Sequence, residues 1–170
     1  MNQFLENEEY REFVSSILNH KEFSKLESIK HHDSNRLKHS LRVSYYSYLI
    51  AKKLHMDYES VARGGLLHDF FIERTVNYDT IKEKVKLYTV DHPGYALENA
   101  QKYFNLNEKE ANMIRSHMFP LDYHVPKYKE SWVVNLVDKG VSFYEFGKKF
   151  QYQLAYTLNL YLILLINLKK

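Results

Sequence analysis

Apolar positions recur along most of this chain at three- and four-residue steps, the spacing that lets a helix bury one face. Between residues 4 and 19 the series is Phe4, Leu5, Tyr10, Phe13, Val14, Ile17 and Leu18, which predicts an amphipathic packing helix. Residues 30–35, Lys-His-His-Asp-Ser-Asn, are polar and rich in N-cap types, so a loop there leads into a second helix beginning near Arg36. That helix, residues 37–54, carries Leu37, Leu41, Val43, Tyr45, Tyr46, Tyr48, Leu49, Ile50 and Leu54, a stripe wide enough for burial on more than one side. Asp57 is placed to cap a third helix, in which Val61, Gly65 and His68 share a face. Glycine costs about 1 kcal/mol against alanine in a helix interior, so Gly64-Gly65 implies another helix passing close by, the His39 helix being the candidate neighbour.

Residues 73–90 are charged and weakly periodic and read as a connecting segment that partly folds over the site around His68 and Asp69. Asp91-His92-Pro93-Gly94 fits a helix start, with Ala96, Leu97, Ala100 and Phe104 as the apolar face. Asn107 and Glu110 form a capping-box pattern ahead of Ala111, Met113 and Ile114, which puts His117 near that helix's end before Pro120. Residues 131–144 place Asp138 alone among Trp132, Val133, Val134, Leu136, Val137, Val141 and Phe143, where a lone acid needs a partner. Residues 151–168 hold no charged residue, yet Gln151, Gln153, Thr157, Asn159 and Asn167 weaken any comparison with a membrane span of about 20 apolar residues. A core-packing or oligomer-forming helix, membrane attachment and a poorly ordered tail all stand as readings of that segment.

Composition narrows the choices. The 170 residues suit one domain, and 5 Gly and 3 Pro against 25 Tyr and Phe favour long elements over a turn-rich β architecture. The pattern therefore predicts an all-α, single-domain helical bundle over residues 1–150, followed by the apolar helix or tail of residues 151–170. Cysteine is absent, which excludes a disulfide framework, a thiolate nucleophile and a Cys-type zinc site. Any metal is left to nitrogen and oxygen ligands, and nine histidines supply the nitrogens. A net charge of +3 with bases scattered among acids gives no argument for nucleic-acid binding but leaves room for an anionic substrate. The first nine residues have neither a basic nor an apolar signal region, so a cytoplasmic location is the expectation.

Chemistry concentrates in residues 62–71, Ala-Arg-Gly-Gly-Leu-Leu-His-Asp-Phe-Phe, where an imidazole and a carboxylate sit in an apolar run. A buried carboxylate there is costly unless a positive or proton-donating group compensates it, and a divalent cation is one such compensator. The dipeptide itself says little, because chance gives about 0.4 His-Asp pairs at this composition and the chain has a second, His32-Asp33, in a polar cap-like loop. His39, His68, His92, His117 and Asp138 follow one another at gaps of 29, 24, 25 and 21 residues, each gap fitting one helix and its connection. Five helices each giving one group or pair would build a metal site inside a bundle. Singly, His39 equally reads as a solvated first-turn residue, His92 as a cap, His117 as a partner of the helix dipole, and Asp138 as an ion-pair partner of Lys139 or Arg115. His20, His31, His55 and His124 lack the apolar context and read as surface residues.

The order His39, His68-Asp69, Asp138, with the strings His39-Ser-Leu-Arg-Val and Gly-Leu-Leu-His68-Asp69, resembles the HD-domain superfamily of metal-dependent phosphohydrolases over about residues 37–145. The added His92 and His117 resemble the subset with a dinuclear centre, in which the motif Asp bridges two metals. The strings around His92-Pro93 and His117-Met118-Phe119-Pro120-Leu121 are similar to a small single-domain bacterial group of these hydrolases. The chain departs from the cyclic-dinucleotide phosphodiesterase branch: Phe70-Phe71-Ile72 stands where that branch has Ile-Gly-Lys, and there is no Gly-Tyr-Pro. The resemblance implies an all-helical fold and hydrolysis of a phosphoester or nucleotide phosphate bond.

On that footing, His39, His68, Asp69 and Asp138 would hold one cation, and Asp69, His92 and His117 a second, about 3.5 to 4 Å away. Iron or manganese is favoured for the pair, with magnesium, cobalt, zinc and nickel as alternatives. His68 and Asp69 carry the catalytic expectation with Arg42, which lies one turn from His39 and either orients phosphate, holds a carboxylate of the site, or makes a solvent-facing ion pair. Lys139 and Arg115 are weaker phosphate candidates. The expected partner is a small anionic phosphorylated compound, a nucleotide foremost, and homo-oligomers are open. The competing function is a metal- or nucleotide-binding regulatory module without turnover; a membrane-tethered scaffold is a third.

Overall fold

The structure, a computed structural model, describes residues 2–31, 34–72 and 80–167. The predicted N-terminal helix is two helices, α1 (Asn2–Leu5) and α2 (Glu8–Leu18). Asn7 breaks the run because its side-chain oxygen accepts the Tyr10 N–H at 3.0 Å, offering the backbone a cap in place of helix continuation. Helix α3 (Lys21–Ser24), capped by the His20 ring nitrogen, leads through a 3-10 turn into a two-residue antiparallel ladder, β1 (Lys30–His31) with β2 (Ser34–Asn35). The His32-Asp33 pair lies outside the described residues. This ladder is the only β structure among the described residues, and the fold is all-α.

Asn35 caps α4 (Arg36–Lys53), where a helix was expected. Asp57 likewise accepts from Ser60 N to cap α5 (Tyr58–Leu67). Helix α4 is buried on several sides and packs against α5 along a row of serines, with Ser44 Oγ donating to Ala62 O at 2.6 Å and accepting from Tyr10 OH at 2.8 Å. The glycine pair divides its labour. A Cβ on Gly65 would lie 3.1 Å from Ser44 Cα of α4, whereas one on Gly64 would meet Met113 Sδ at 2.7 Å. The expected neighbour is thus right for Gly65, and Gly64 admits a different helix.

The stretch read as a connection contains α6 (Ile81–Lys86), started by a capping box in which Thr80 Oγ1 accepts from Glu83 N and Glu83 Oε2 accepts from Thr80 N. Residues 73–79 lie outside the described residues. A π-turn over Leu87–Asp91 carries the backbone straight into α7 (His92–Tyr103), so His92 begins a new α-helical register and not a free helix end. Pro93 explains the wide turn, since it has no N–H to donate and its ring crowds the carbonyl four residues earlier. The predicted Asn107–Glu110 capping box opens α8 (Glu108–Ser116), and α9 (Lys129–Asn167) runs unbroken past residue 150.

Helix α4 lies between α5 and α9, and α8 closes against α5 and α9. The larger core cluster gathers Tyr10, Phe23, Leu41, Leu66, Phe70 and Ile114; a smaller one joins Val43, Val61, Met113, Val134 and Val141 under α9. Among the described residues no helix is long and apolar enough to cross a membrane.

Candidate metal centre

Every predicted ligand sits where its helix turns toward the junction of α4, α5, α7, α8 and α9. His68 is the C-cap of α5, and the chain leaves the helix there in a tight turn, with Phe70 N bonded to Leu67 O and Phe71 N to Asp69 O. Phe70 and Phe71 are sunk in the core, which anchors the turn and fixes Asp69 at the junction. His117 is the matching C-cap of α8. His39 comes from the first turns of α4, His92 from the start of α7 and Asp138 from the third turn of α9. All six are buried.

The two C-cap histidines share a device. His68 Nδ1 lies 2.7 Å from Gly65 O and His117 Nδ1 lies 2.8 Å from Ile114 O, so each donates Nδ1–H to the carbonyl three residues back and turns its Nε2 lone pair inward. His68 Nε2 reaches no hydrogen-bond partner, and its nearest carboxylate oxygen is Asp138 Oδ1 at 3.5 Å. His117 Nε2 points at His92 Nε2, 2.8 Å away, while His92 Nδ1 is itself without a partner. Asp69 Oδ1 stands 3.3 Å from His92 Nε2 and 3.9 Å from His117 Nε2. His39 Nε2 is 3.0 Å from Asp138 Oδ1.

Three overlapping groups result, His39–His68–Asp69, His68–His117–Asp138 and Asp69–His92–His117, each with ligand atoms within 4.8 Å of one another. Imidazole nitrogens that converge on one another, beside two buried carboxylates, are groups a divalent cation would satisfy. The donor set fits such ions.

Electrostatics favour a cation at the carboxylates and at His117, while at His39 a cation has to displace a proton. Burial alone raises the Asp69 carboxyl, but the hydrogen bond with His92 and the nearby His68 and Arg36 hold it well below the usual range; for Asp138, His39 and His68 do the same against burial. Burial, then the neighbouring His68 and His92, press His117 down to about 3, keeping it neutral. Burial also works against charge on His39, yet hydrogen bonds to Asp138 and Glu145 outweigh it and raise that ring to about 10.

Two residues of the site were not anticipated. Glu145, buried on α9 seven residues beyond Asp138, has Oε2 3.2 Å from His39 Nδ1, and Arg42 donates to its other oxygen. Of the roles open to Arg42, the geometry gives it a carboxylate to hold, with its side chain still one-third exposed (32%). Arg36, three residues before His39 on the same face, stacks its guanidinium 3.9 Å over the Phe71 ring, donates to Phe71 O at 2.6 Å and brings Nε within 3.7 Å of Asp69 Oδ2. The seven- and three-residue spacings were the available signals.

Other expectations need correction. Asp138 pairs with histidines and with neither Lys139 nor Arg115: Lys139 Nζ donates to His117 O at 3.0 Å, and Arg115 pairs with buried Asp122 at 2.5 Å. His124 is half-buried because it too bonds Asp122, and His20 is half-buried as a helix cap against Tyr103 and Phe104. Apolar context alone did not separate partnered histidines from solvated ones. His55 is exposed as expected.

The sequence matches the profile of the HD domain over residues 36–140, more than half of the chain and all six candidate ligands. The chain belongs to the HD-domain family. No curated protein and no solved structure matches it. HD domains bind divalent metals and are mostly metal-dependent hydrolases, and the matched residues include His/Asp groups that could hold a metal.

Proposed function

We propose that this HD-domain protein is a phosphohydrolase that cleaves a phosphoester or nucleotide phosphate bond with water at a dinuclear metal centre, in a cytoplasmic setting. The observation that carries the reading is the position of Asp69, grouped with His39 and His68 on one side and with His92 and His117 on the other. His39, His68, Asp69 and Asp138 would hold one cation and Asp69, His92 and His117 the other, iron or manganese before magnesium, cobalt, zinc or nickel. Bound cations would supply Lewis acidity, lowering the pKa of water and taking up charge on phosphoryl oxygens.

The chain's own groups do the rest. Gly65 O and Ile114 O fix the tautomers of His68 and His117 through their Nδ1–H groups, and Glu145 does the same for His39. Arg36 neutralises the outer face of Asp69 and, by stacking on Phe71, holds the turn that presents it. Arg42 binds Glu145 with about a third of its side chain exposed, a place from which it would meet a phosphate oxygen.

The test is elemental analysis of anaerobically purified protein, followed by a nucleotide and phosphoester panel with each metal. The reading expects about two metals per chain, phosphate release, and loss of both in Asp69→Ala. Fewer than one metal per chain under every condition, with no hydrolysis, overturns it. Full metal loading without turnover of any substrate instead identifies a regulatory binding module.

A further inference from the structure

Helix α9 has two faces of opposite character. Val134, Asp138, Val141 and Glu145 lie against the domain and are buried. On the opposite side Trp132 is 39% exposed, Leu136 62%, Phe143 80%, Phe146 59% and Phe150 61%. Soluble proteins rarely leave several large apolar groups in one row to water.

The row has a period. Trp132, Leu136, Lys139, Phe143, Phe146 and Phe150 alternate steps of four and three residues, and the same register continues in the sequence through Gln153, Thr157, Leu160, Leu164 and Asn167. A sustained average of 3.5 residues is the spacing by which one helix meets another along a seam. Trp132 at the start of the row leans on Phe119, but Gly140 and Gly147, seven apart beside the row, have open space where a Cβ would stand, and among the described residues Phe143, Phe146 and Phe150 stay largely exposed. At 39 residues the helix is about 58 Å long, and a helix extending from a domain draws most of its stability from packing.

We propose that this seam pairs with the same seam of a second copy of the chain, making the protein a dimer through α9. Area supports that occupant. The four aromatic side chains alone leave on the order of 500 Å² per helix, so two facing copies remove on the order of 1,000 Å², the size at which specific interfaces begin, before any residue beyond 150 is added. The polar residues that fall at this spacing in the sequence, Gln153, Thr157 and Asn167, suit a paired helix, where such residues fix register, better than a lipid surface. Because the other face of the helix carries Asp138 and Glu145, pairing would stiffen the element that supplies one side of the metal centre.

The experiment is sedimentation equilibrium of the full chain without detergent at micromolar concentration. A mass near twice 20.4 kDa is expected. Phe143→Glu with Phe146→Glu and Phe150→Glu should return it to one chain while keeping its metal content, since none of the three contacts the centre. Tyr144→Glu with Tyr152→Glu, equally exposed but off the seam, should leave the dimer intact. A monomeric wild type overturns the proposal, as does a seam variant that remains dimeric. So does a monomer that co-sediments with phosphatidylcholine–phosphatidylserine vesicles, which would assign the face to a membrane.

Discussion

The two halves of the proposed metal centre use the same side chain under opposite conditions. In the α4–α9 half, His39 lies between Asp138 and Glu145, with Arg42 behind, and its ring is raised to about 10. In the α7–α8 half, His117 faces His92 and shares one carboxylate, Asp69, and its ring is lowered to about 3. A cation is held by the charge and lone pairs around it, so the carboxylate-rich half should bind its metal tightly and the imidazole-rich half more weakly. Asp69 is common to both. What separates the halves is the number of acids each helix delivers.

The largest expected effect comes from Asp138→Ala, which removes a carboxylate from the tight half. Metal there should be lost and phosphohydrolase turnover should fall by about 10³-fold or more, read by elemental analysis beside steady-state kinetics. His117→Ala strikes chiefly the weak half, although His117 also lies near His68 and Asp138. Metal content should drop by one per chain while the other ion stays, with turnover down about 10²-fold; loss of both ions would erase the distinction. Glu145→Gln keeps the size of the side chain but weakens its hold on His39. Affinity of the tight half should fall about 10- to 100-fold in a metal titration, with the circular dichroism spectrum unchanged.

The smallest effects lie in the glycine pair that sets both halves at their distance. Gly65→Ala presses on the α4 backbone at Ser44, while Gly64→Ala presses on the flexible end of Met113 in α8. The gain of about 1 kcal/mol in helix propensity opposes an overpacking cost of about 1–3 kcal/mol. Gly65→Ala should therefore lower Tm by several degrees and Gly64→Ala by less, since side chains yield where backbones do not. Equal shifts would show that both contacts relax alike.

Much of this was legible because short-range chemistry announced it. Asn35, Asp57 and Asn107 cap the helices their side chains predict, and His39, His68, Asp69, His92, His117 and Asp138 meet at one junction, as the spacing of helices and connections suggested. What stayed hidden depended on tertiary geometry. Glu145 carries no signal of its own in the sequence, because its partners His39 and Arg42 lie more than a hundred residues earlier. Arg36 read as a helix start, because its burial arises only once the Phe71 turn folds over it. The π-turn before Pro93 was masked by a motif that equally suits a helix N-terminus, and the Asn7 break by an apolar pattern that continues across it.

The central claim, two unequal sites sharing Asp69, is tested most directly by titrating metal-stripped protein with Mn²⁺ in a calorimeter, for the wild type and for Asp69→Asn. The account predicts two binding events of different affinity in the wild type and neither at comparable strength in the variant. A single event that survives Asp69→Asn unchanged would contradict it.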